Sequence, residues 1–296
     1  MSALILKSGN ALNAGFDSIE FTTYKNRVLA DGGIIADEVA VKEAMAWANE
    51  NGVSSSVFSA TSPRWGVKLL DGKLKKMYSL YDESGDIDVI IGNSTAIEYN
   101  TTAYTFPTLR LGGSSANILK SKDVIASHIN SVLCNISITP TITGNGLGFT
   151  KSAILDLTAN DSSIKRIHSI SQSRPTSSAS ATELYPTANG YGTSGQVVAS
   201  TVKNAATWSS VASFLDGSHL SVYAQGLQIG QDTTITPNAY NSNLSYNIGS
   251  NREPGSETLA YTSPFLGYIA ESWCLINTDE TKAQILSTRA EQLYAS

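Results

Sequence analysis

From about residue 132 onward the chain is written in short apolar runs of alternating pattern, each closed by turn residues, and this spacing leaves little choice of fold. In the stretch 149–157, Phe149, Ala153, Leu155 and Leu157 fall on one side of a strand, and Thr150, Ser152 and Asp156 fall on the other. Val211 to Leu215 and Leu220 to Ala224 flank Asp216-Gly217, where Gly217 is expected to supply the positive φ of a tight hairpin. A second hairpin turn is expected at Gln225-Gly226, with Leu227 and Ile229 beyond it. Leu244, Tyr246 and Ile248 alternate again, and Gly267 to Ile276 is a further strand. Strands at this spacing, with no helical crossovers between them, predict an antiparallel all-β sandwich with one wet face and not a parallel α/β sheet.

The front of the chain has a different texture. Ala3 to Leu6 form a short apolar arm. A helix is expected from Ser18 to Ala30, stopped by Gly32 and Gly33, although Ile19, Phe21, Thr22 and Thr23 would also suit a strand. Asp37 caps a second helix from Glu38 to Asn51, closed by Gly52, with Val41, Ala44, Met45 and Ala48 on one face. Strands follow, among them 76–81 and 87–91. At the other end, Thr278 is expected to cap a helix from Asp279 to Tyr294, with Arg289 complementing its C-terminal dipole. The expected division is an N-terminal arm and helical attachment module, 1–66, and a sandwich with its C-terminal helix, 67–296.

Composition narrows the chemistry. A net charge of -5 argues against a nucleic-acid surface, and the basic group Lys73, Lys75 and Lys76 is small enough to be a solvated strand or turn. No run of about 18 apolar residues is present and no secretory signal opens the chain, so neither membrane insertion nor signal-directed export is expected. Cys134 and Cys274 lie in separate apolar segments and suit buried thiols; a disulfide requires their strands to be neighbours. The three histidines, His128, His168 and His219, are scattered, and no zinc, phosphate-loop or nucleophile-elbow motif occurs. The carboxylate pair of a glycoside hydrolase is missing, because Glu271 stands alone and Asp86 and Asp88 follow Ser84-Gly85 as solvated turn residues would.

Two features leave room for a ligand. The long connection from Gln172 to Gly195 carries Tyr185, Asn189 and Tyr191 among many Ser, Thr and Gly residues, a composition that suits either a glycan site or a subunit contact. Asp156, Asn160 and Asp161 either ligate a calcium ion at a sandwich rim or form a plain turn. No other cofactor is expected.

The run from Trp208 to Gly226 resembles the central hairpin of concanavalin A-like, laminin-G-type jelly rolls: a Trp before a strand, Asp216-Gly217 at the turn, then Tyr223 and Gly226, with Gln225 where those proteins usually have Asn. The segment from Phe265 to Trp273 resembles their closing strand, with Gly267, Ile269 and Glu271 at matching positions, and the helix after it fits as well. The resemblance places Trp208 in the core and gives Glu271 a bond from sheet edge to loop. Residues 20–119 resemble a pattern that precedes such jelly rolls in tailed-bacteriophage structural proteins: Arg27 to Gly33, Ala46 to Gly52 and Lys76 to Gly85. This implies a non-enzymatic virion component, a homo-oligomer joined to other virion proteins. It would act as a tail-fibre adhesin for cell-surface polysaccharide or as a capsid or tail decoration (cement) protein; a polysaccharide-degrading enzyme relying on Glu271 is the third reading.

Overall fold

A computed structural model of the chain describes residues 17–91, 97–111, 118–122, 125, 130–138, 152–160, 164–173, 183–190, 196–198, 203–204, 207–235, 243–249 and 267–294. Helices α1 (Ile19–Ala30) and α2 (Glu38–Glu50) flank a short strand, β1 (Ile34–Ile35). Then come β2 (Val57–Thr61), β3 (Gly66–Leu70), β4 (Lys73–Met77), β5 (Ile87–Ile91), β6 (Ile97–Asn100), β7 (Thr108–Leu111), β8 (Ile118–Lys120) and β9 (Ser131–Ile138). The later strands are β10 (Ser152–Asn160), β11 (Ile164–Ser173), β12 (Glu183–Gly190), β13 (Gln196–Val198), β14 (Lys203–Asn204), β15 (Ser209–Leu215), β16 (Leu220–Ala224), β17 (Leu227–Asp232), β18 (Leu244–Ile248) and β19 (Gly267–Ile276). Two short helices, α3 (Glu280–Leu286) and α4 (Arg289–Tyr294), close the chain.

The strands form two antiparallel sheets. Among the described residues, the first runs β1-β3-β4-β5-β8-β18-β10-β11-β12-β13, with β14 beside β12, and the second runs β17-β16-β15-β9-β19-β7-β6, with β2 beside part of β19. The protein is thus mainly β: an antiparallel sandwich preceded by small helices and closed by a helical segment, as the alternation predicts. Pairing crosses the 66/67 boundary, since Ile34 lies opposite Val67 and β2 pairs with β19, so strands on either side of the expected division share both sheets.

Two apolar layers result. Between the sheets, Leu155, Leu157, Tyr246 and Ile248 of the first meet Leu133, Val211, Val222, Ile269 and Cys274 of the second. On the far side of the second sheet, Val132, Cys134, Ala212, Trp273 and Leu275 meet Phe21, Tyr24 and Val28 of α1, Val41, Ala44, Met45 and Ala48 of α2, and Ala283 and Leu286 of α3. The middle of that sheet is therefore covered on both faces, and all eight residues of β9 are buried. Polar residues on these strands, among them Asn135, Ser213 and Glu271, are therefore buried as well and need partners inside the protein.

The helices begin where their capping chemistry dictates. Ser18 accepts from Phe21 N at the start of α1 and Asp37 from Ala40 N at the start of α2. At the C-terminal end, Asp279 is the cap in place of Thr278, its carboxylate accepting from Thr281 N at 2.9 Å. The expected continuous helix is broken at Ser287-Thr288, whose hydroxyls donate to the carbonyls of Gln284 and Ile285. The break receives the β16–β17 turn, because Gln225 N donates to Ser287 O and Gly226 N to Ser287 Oγ. These bonds hold Gln225 at φ 54° beside Gly226 at φ 75°, a conformation that costs a side-chain-bearing residue about 1–2 kcal/mol. The Asp216-Gly217 hairpin works differently from expectation. Gly217 has no positive φ, and the four-residue connection is instead held by Asp216 Oδ1 accepting from Ser218 N and His219 N, both at 2.7 Å.

Three charged residues also depart from their expected roles. Asp86 is buried and not a solvated turn residue: it takes both oxygens to Arg27 Nη1 at 2.7 and 2.8 Å and accepts from Ser79 N. Glu271 is enclosed in β19, and Arg289, instead of answering a helix dipole in solvent, is its buried counter-ion. Arg289 Nε lies 2.5 Å from Glu271 Oε2, and its Nη2 lies 3.1 Å from Glu271 Oε1 and 3.1 Å from Glu43 Oε2 on α2. The guanidinium stands 4.5 Å from the Trp47 ring, and Glu271 also accepts from Trp273 Nε1 and the Tyr294 hydroxyl. Burial works to lower the Arg289 pKa, but the two carboxylates raise it, so the group stays charged.

Cys134 and Cys274 lie on neighbouring strands without facing each other. Cys134 is opposite Trp273 and points at the helices, while Cys274 is opposite Leu133 and points between the sheets. Pointing to alternate faces, the two sulfurs form no disulfide.

Two outcomes follow from this packing. Arg289→Ala removes the counter-ion from a buried carboxylate and should cost about 3–5 kcal/mol in chemical denaturation, whereas a loss under about 1 kcal/mol would show the pair to be marginal. The melting temperature should be the same with and without reductant, and neither cysteine should react with an alkylating reagent until the protein unfolds; a reductant-dependent drop would show a disulfide.

Candidate functional site

The helices cover only part of the second sheet's outer face. Beyond them, at the β6–β7 edge, the register aligns Glu98 with Arg110 and Arg110 with Tyr268 across three strands. Residues directly opposite in antiparallel strands project to the same side. Leu109 and Leu111, at the alternate positions of β7, are in the inter-sheet core, so the row of Glu98, Arg110 and Tyr268 faces outward.

Asn100 organises the edge of this row. It is buried, its Oδ1 accepts from Thr102 N and Ala103 N at 3.2 and 2.8 Å, and its Nδ2 donates to Glu98 Oε1 at 2.8 Å. One side chain thus pins the following connection and orients the first carboxylate. Arg110 Nη1 lies 2.9 Å from Glu98 Oε2. The bonds from Arg110 and Asn100 hold the Glu98 carboxyl below its ordinary range, so it is ionised near neutral pH.

The pinned connection delivers Tyr104 and Phe106 onto the same face. The Tyr104 ring centroid is 5.1 Å from that of Tyr268 and 5.0 Å from that of Trp208, both edge-on. Phe106 lies 5.4 Å from Trp208 and 5.0 Å from Tyr294 of α4. Arg64 stands over Phe106 and is paired with Asp37 at 2.8 Å. Tyr104, Phe106, Trp208 and Tyr268 are all half-buried, so the cluster has an apolar base and an accessible rim. Burial, with Tyr268 nearby, pushes the Tyr104 hydroxyl upward, so it stays protonated and able to donate. Packed rings beside donors and acceptors fixed on strands β6 and β7 are what recognition of a polyhydroxylated molecule requires.

Trp208 precedes β15 as the hairpin resemblance implies, but it is a half-buried member of this cluster instead of a fully enclosed core residue. Of the other structural residues, Tyr223 donates to Glu280 Oε1 at 2.8 Å, and Gly267 opens β19.

The residues expected from the long connection are placed elsewhere. Tyr185 and Asn189 belong to β12 in the first sheet, opposite Ser173 and Ser169 of β11, and so sit in a paired strand and not in a loop. Tyr191 lies outside the described residues, and the structure does not bring Tyr185 and Asn189 to the aromatic cluster. Asp156 is in the middle of β10, paired with Ser169 and Asn247, and Asn160 is at its end. The two therefore share a strand and do not form a turn; Asp161 lies outside the described residues.

Among the described residues no three His, Cys, Asp or Glu side chains gather as a metal site. His168 is enclosed between the sheets, its Nδ1 2.9 Å from Ser131 Oγ and its Nε2 2.8 Å from Ser213 Oγ. No helix among them is long and apolar enough to cross a membrane.

Tyr104, Phe106, Tyr268, Glu98 and Arg110 are not singled out by sequence reasoning. The available signal was Tyr104 and Phe106 two apart in a Thr-rich stretch before Pro107, which places two aromatics on one side of an extended segment.

The sequence matches no protein-family model and no curated protein. Among solved structures the chain is similar to a sialidase from Trypanosoma rangeli in complex with 2,3-difluoro-KDN, with 11% identity and a TM-score of 0.52 over 81% of this chain and 33% of that one. It is also similar to a native heptameric SAP-like pentraxin from Limulus polyphemus, with 13% identity and a TM-score of 0.44 over 58% and 75%. A third is the binding domain of botulinum neurotoxin DC in complex with SialylT, with 12% identity and a TM-score of 0.46 over 79% and 51%. The chain spans about a third of the sialidase, and at such identities the likeness is one of fold: this chain forms an antiparallel jelly-roll-type sandwich.

Proposed function

We propose that this chain is a non-enzymatic glycan-binding protein of a virus particle, a tail-fibre or tail-associated adhesin that presents its sandwich to host-surface polysaccharide. The observation that carries the reading is the half-exposed cluster of Tyr104, Trp208 and Tyr268 next to the Glu98–Arg110 pair. Aromatic faces meet the C–H side of a sugar ring, and the pair meets its hydroxyls. The virion setting comes from the order of N-terminal segments ahead of the sandwich. A binding role is favoured over hydrolysis because Glu271, the carboxylate an enzymatic reading would use, has a side chain only 2% exposed and bonded to Arg289.

A second reading, a capsid or tail decoration protein without glycan binding, draws on α1. Ile19, Thr22, Thr23, Asn26 and Leu29 form an exposed, uncharged stripe at helical spacing, with Ile19 85% exposed. Such a stripe suits contact with another copy or with another virion protein, and it is compatible with an adhesin that assembles as a homo-oligomer.

Binding of the labelled protein to a panel of intact bacterial cells separates the two. The adhesin reading expects binding to some strains, reduced about tenfold or more by Tyr104→Ala or Trp208→Ala with the fold retained by circular dichroism. Incorporation into particles at high copy number, with no cell binding by the intact protein, would favour decoration.

A further inference from the structure

The guanidinium groups at the aromatic cluster are already matched by carboxylates. Arg110 is on Glu98, Arg64 is on Asp37, and Arg289 behind Tyr294 is on Glu271 and Glu43. An acidic sugar entering here would have to draw an arginine away from its partner and then lie against the carboxylate it displaced. Like charges at such distances are costly, and no other cation at the cluster, among the described residues, offsets them.

An uncharged sugar meets the same pair on better terms. Arg110 and Glu98 have side chains 48% and 40% exposed and present a donor and an acceptor 2.9 Å apart. Adjacent hydroxyls of a sugar ring are separated by a similar hydrogen-bond length, so one accepts from the guanidinium while its neighbour donates to the carboxylate. Capacity is left for both bonds, because a guanidinium carries five N–H donors and a carboxylate about four acceptor sites. Asn100 fixes the Glu98 oxygen that Arg110 does not use, so the acceptor is oriented before a ligand arrives. Tyr268 is the next residue in the row, and its ring leads through Tyr104 to Trp208.

We propose that this surface takes an uncharged pyranoside, with two adjacent hydroxyls on the Glu98–Arg110 pair and the C–H face of the sugar against Tyr268, the ring next to that pair, with Tyr104 and Trp208 bordering it. The assignment rests on the glycan-binding reading above and adds the charge class of the ligand and the residues that select it. Glu98 and Arg110 are specificity determinants, and the rings provide the contact area.

The test is an array of immobilised uncharged glycans (glucans, mannans and galactans) and acidic ones (sialylated, uronic and phosphorylated), probed with the full chain. Binding is expected on uncharged probes and should be little changed by added salt. Glu98→Gln and Arg110→Met should each weaken it about 10- to 100-fold, with the melting temperature unchanged because the pair lies at the surface. Binding confined to acidic glycans, or binding to uncharged glycans that ignores both substitutions, overturns the assignment and leaves the glycan-binding reading intact. Silence on every probe, together with unaltered cell binding by the Tyr104→Ala and Trp208→Ala proteins, overturns both.

Discussion

The structure depends on one sheet being covered from both sides. The strands at the centre of the second sheet pack against the first sheet on one face and against α1, α2 and α3 on the other, so a residue at any position of β9 is inside the protein. Polar groups in such a place have to be answered. Glu271 sits there with a charge, and Arg289, Trp273 and Tyr294 answer it from the same strand and from α4. Because Arg289 also reaches Glu43 on α2, one buried guanidinium ties the N-terminal helices, the central strand and the C-terminus together. A well-packed apolar substitute would hold the layers with similar strength; the pair adds directional bonds between α2, β19 and α4 where the helices lie on the sheet.

That placement decides what is left uncovered. The helices stop short of the β6–β7 edge, and the cluster of Tyr104, Phe106, Trp208, Tyr268 and Tyr294 fills the boundary between the covered and open parts of the face. Tyr294 belongs to both: its hydroxyl donates to Glu271, and its ring supports Phe106. The supporting network and the accessible rings are therefore continuous. The open part carries a short polar row on hydrogen-bonded strands, with the Glu98 carboxylate oriented by Asn100 and Arg110.

What could be seen in the sequence was what is encoded locally. The register of Val211–Leu215 against Leu220–Ala224 follows from alternation across a short connection, and the starts of α1 and α2 follow from Ser18 and Asp37. Gln225 was recognisable as a residue out of keeping with its turn, although the compensating bonds to Ser287 were not. What stayed hidden joins distant parts of the chain. The pairing of β9 with β19 spans more than a hundred residues, and it alone decides that Cys134 and Cys274 face apart. The partner of Glu271 was eighteen positions away in a segment that reads as one amphipathic helix, whose break depends on a turn docking from elsewhere. The aromatic cluster is harder still, because its rings come from β19, α4 and two connections, and each alone reads as an ordinary apolar residue. Trp208 was visible but read as core, since a pattern of neighbours does not say how much of a ring is covered.

The most direct measurement is a structure of the protein with an uncharged oligosaccharide that it binds. The account places a sugar ring against Tyr268, bordered by Tyr104 and Trp208, with adjacent hydroxyls on Glu98 and Arg110 and no displacement of Arg289 from Glu271. Sugar seated instead on the first sheet near Tyr185 and Asn189, with the β6–β7 edge bare, would contradict it.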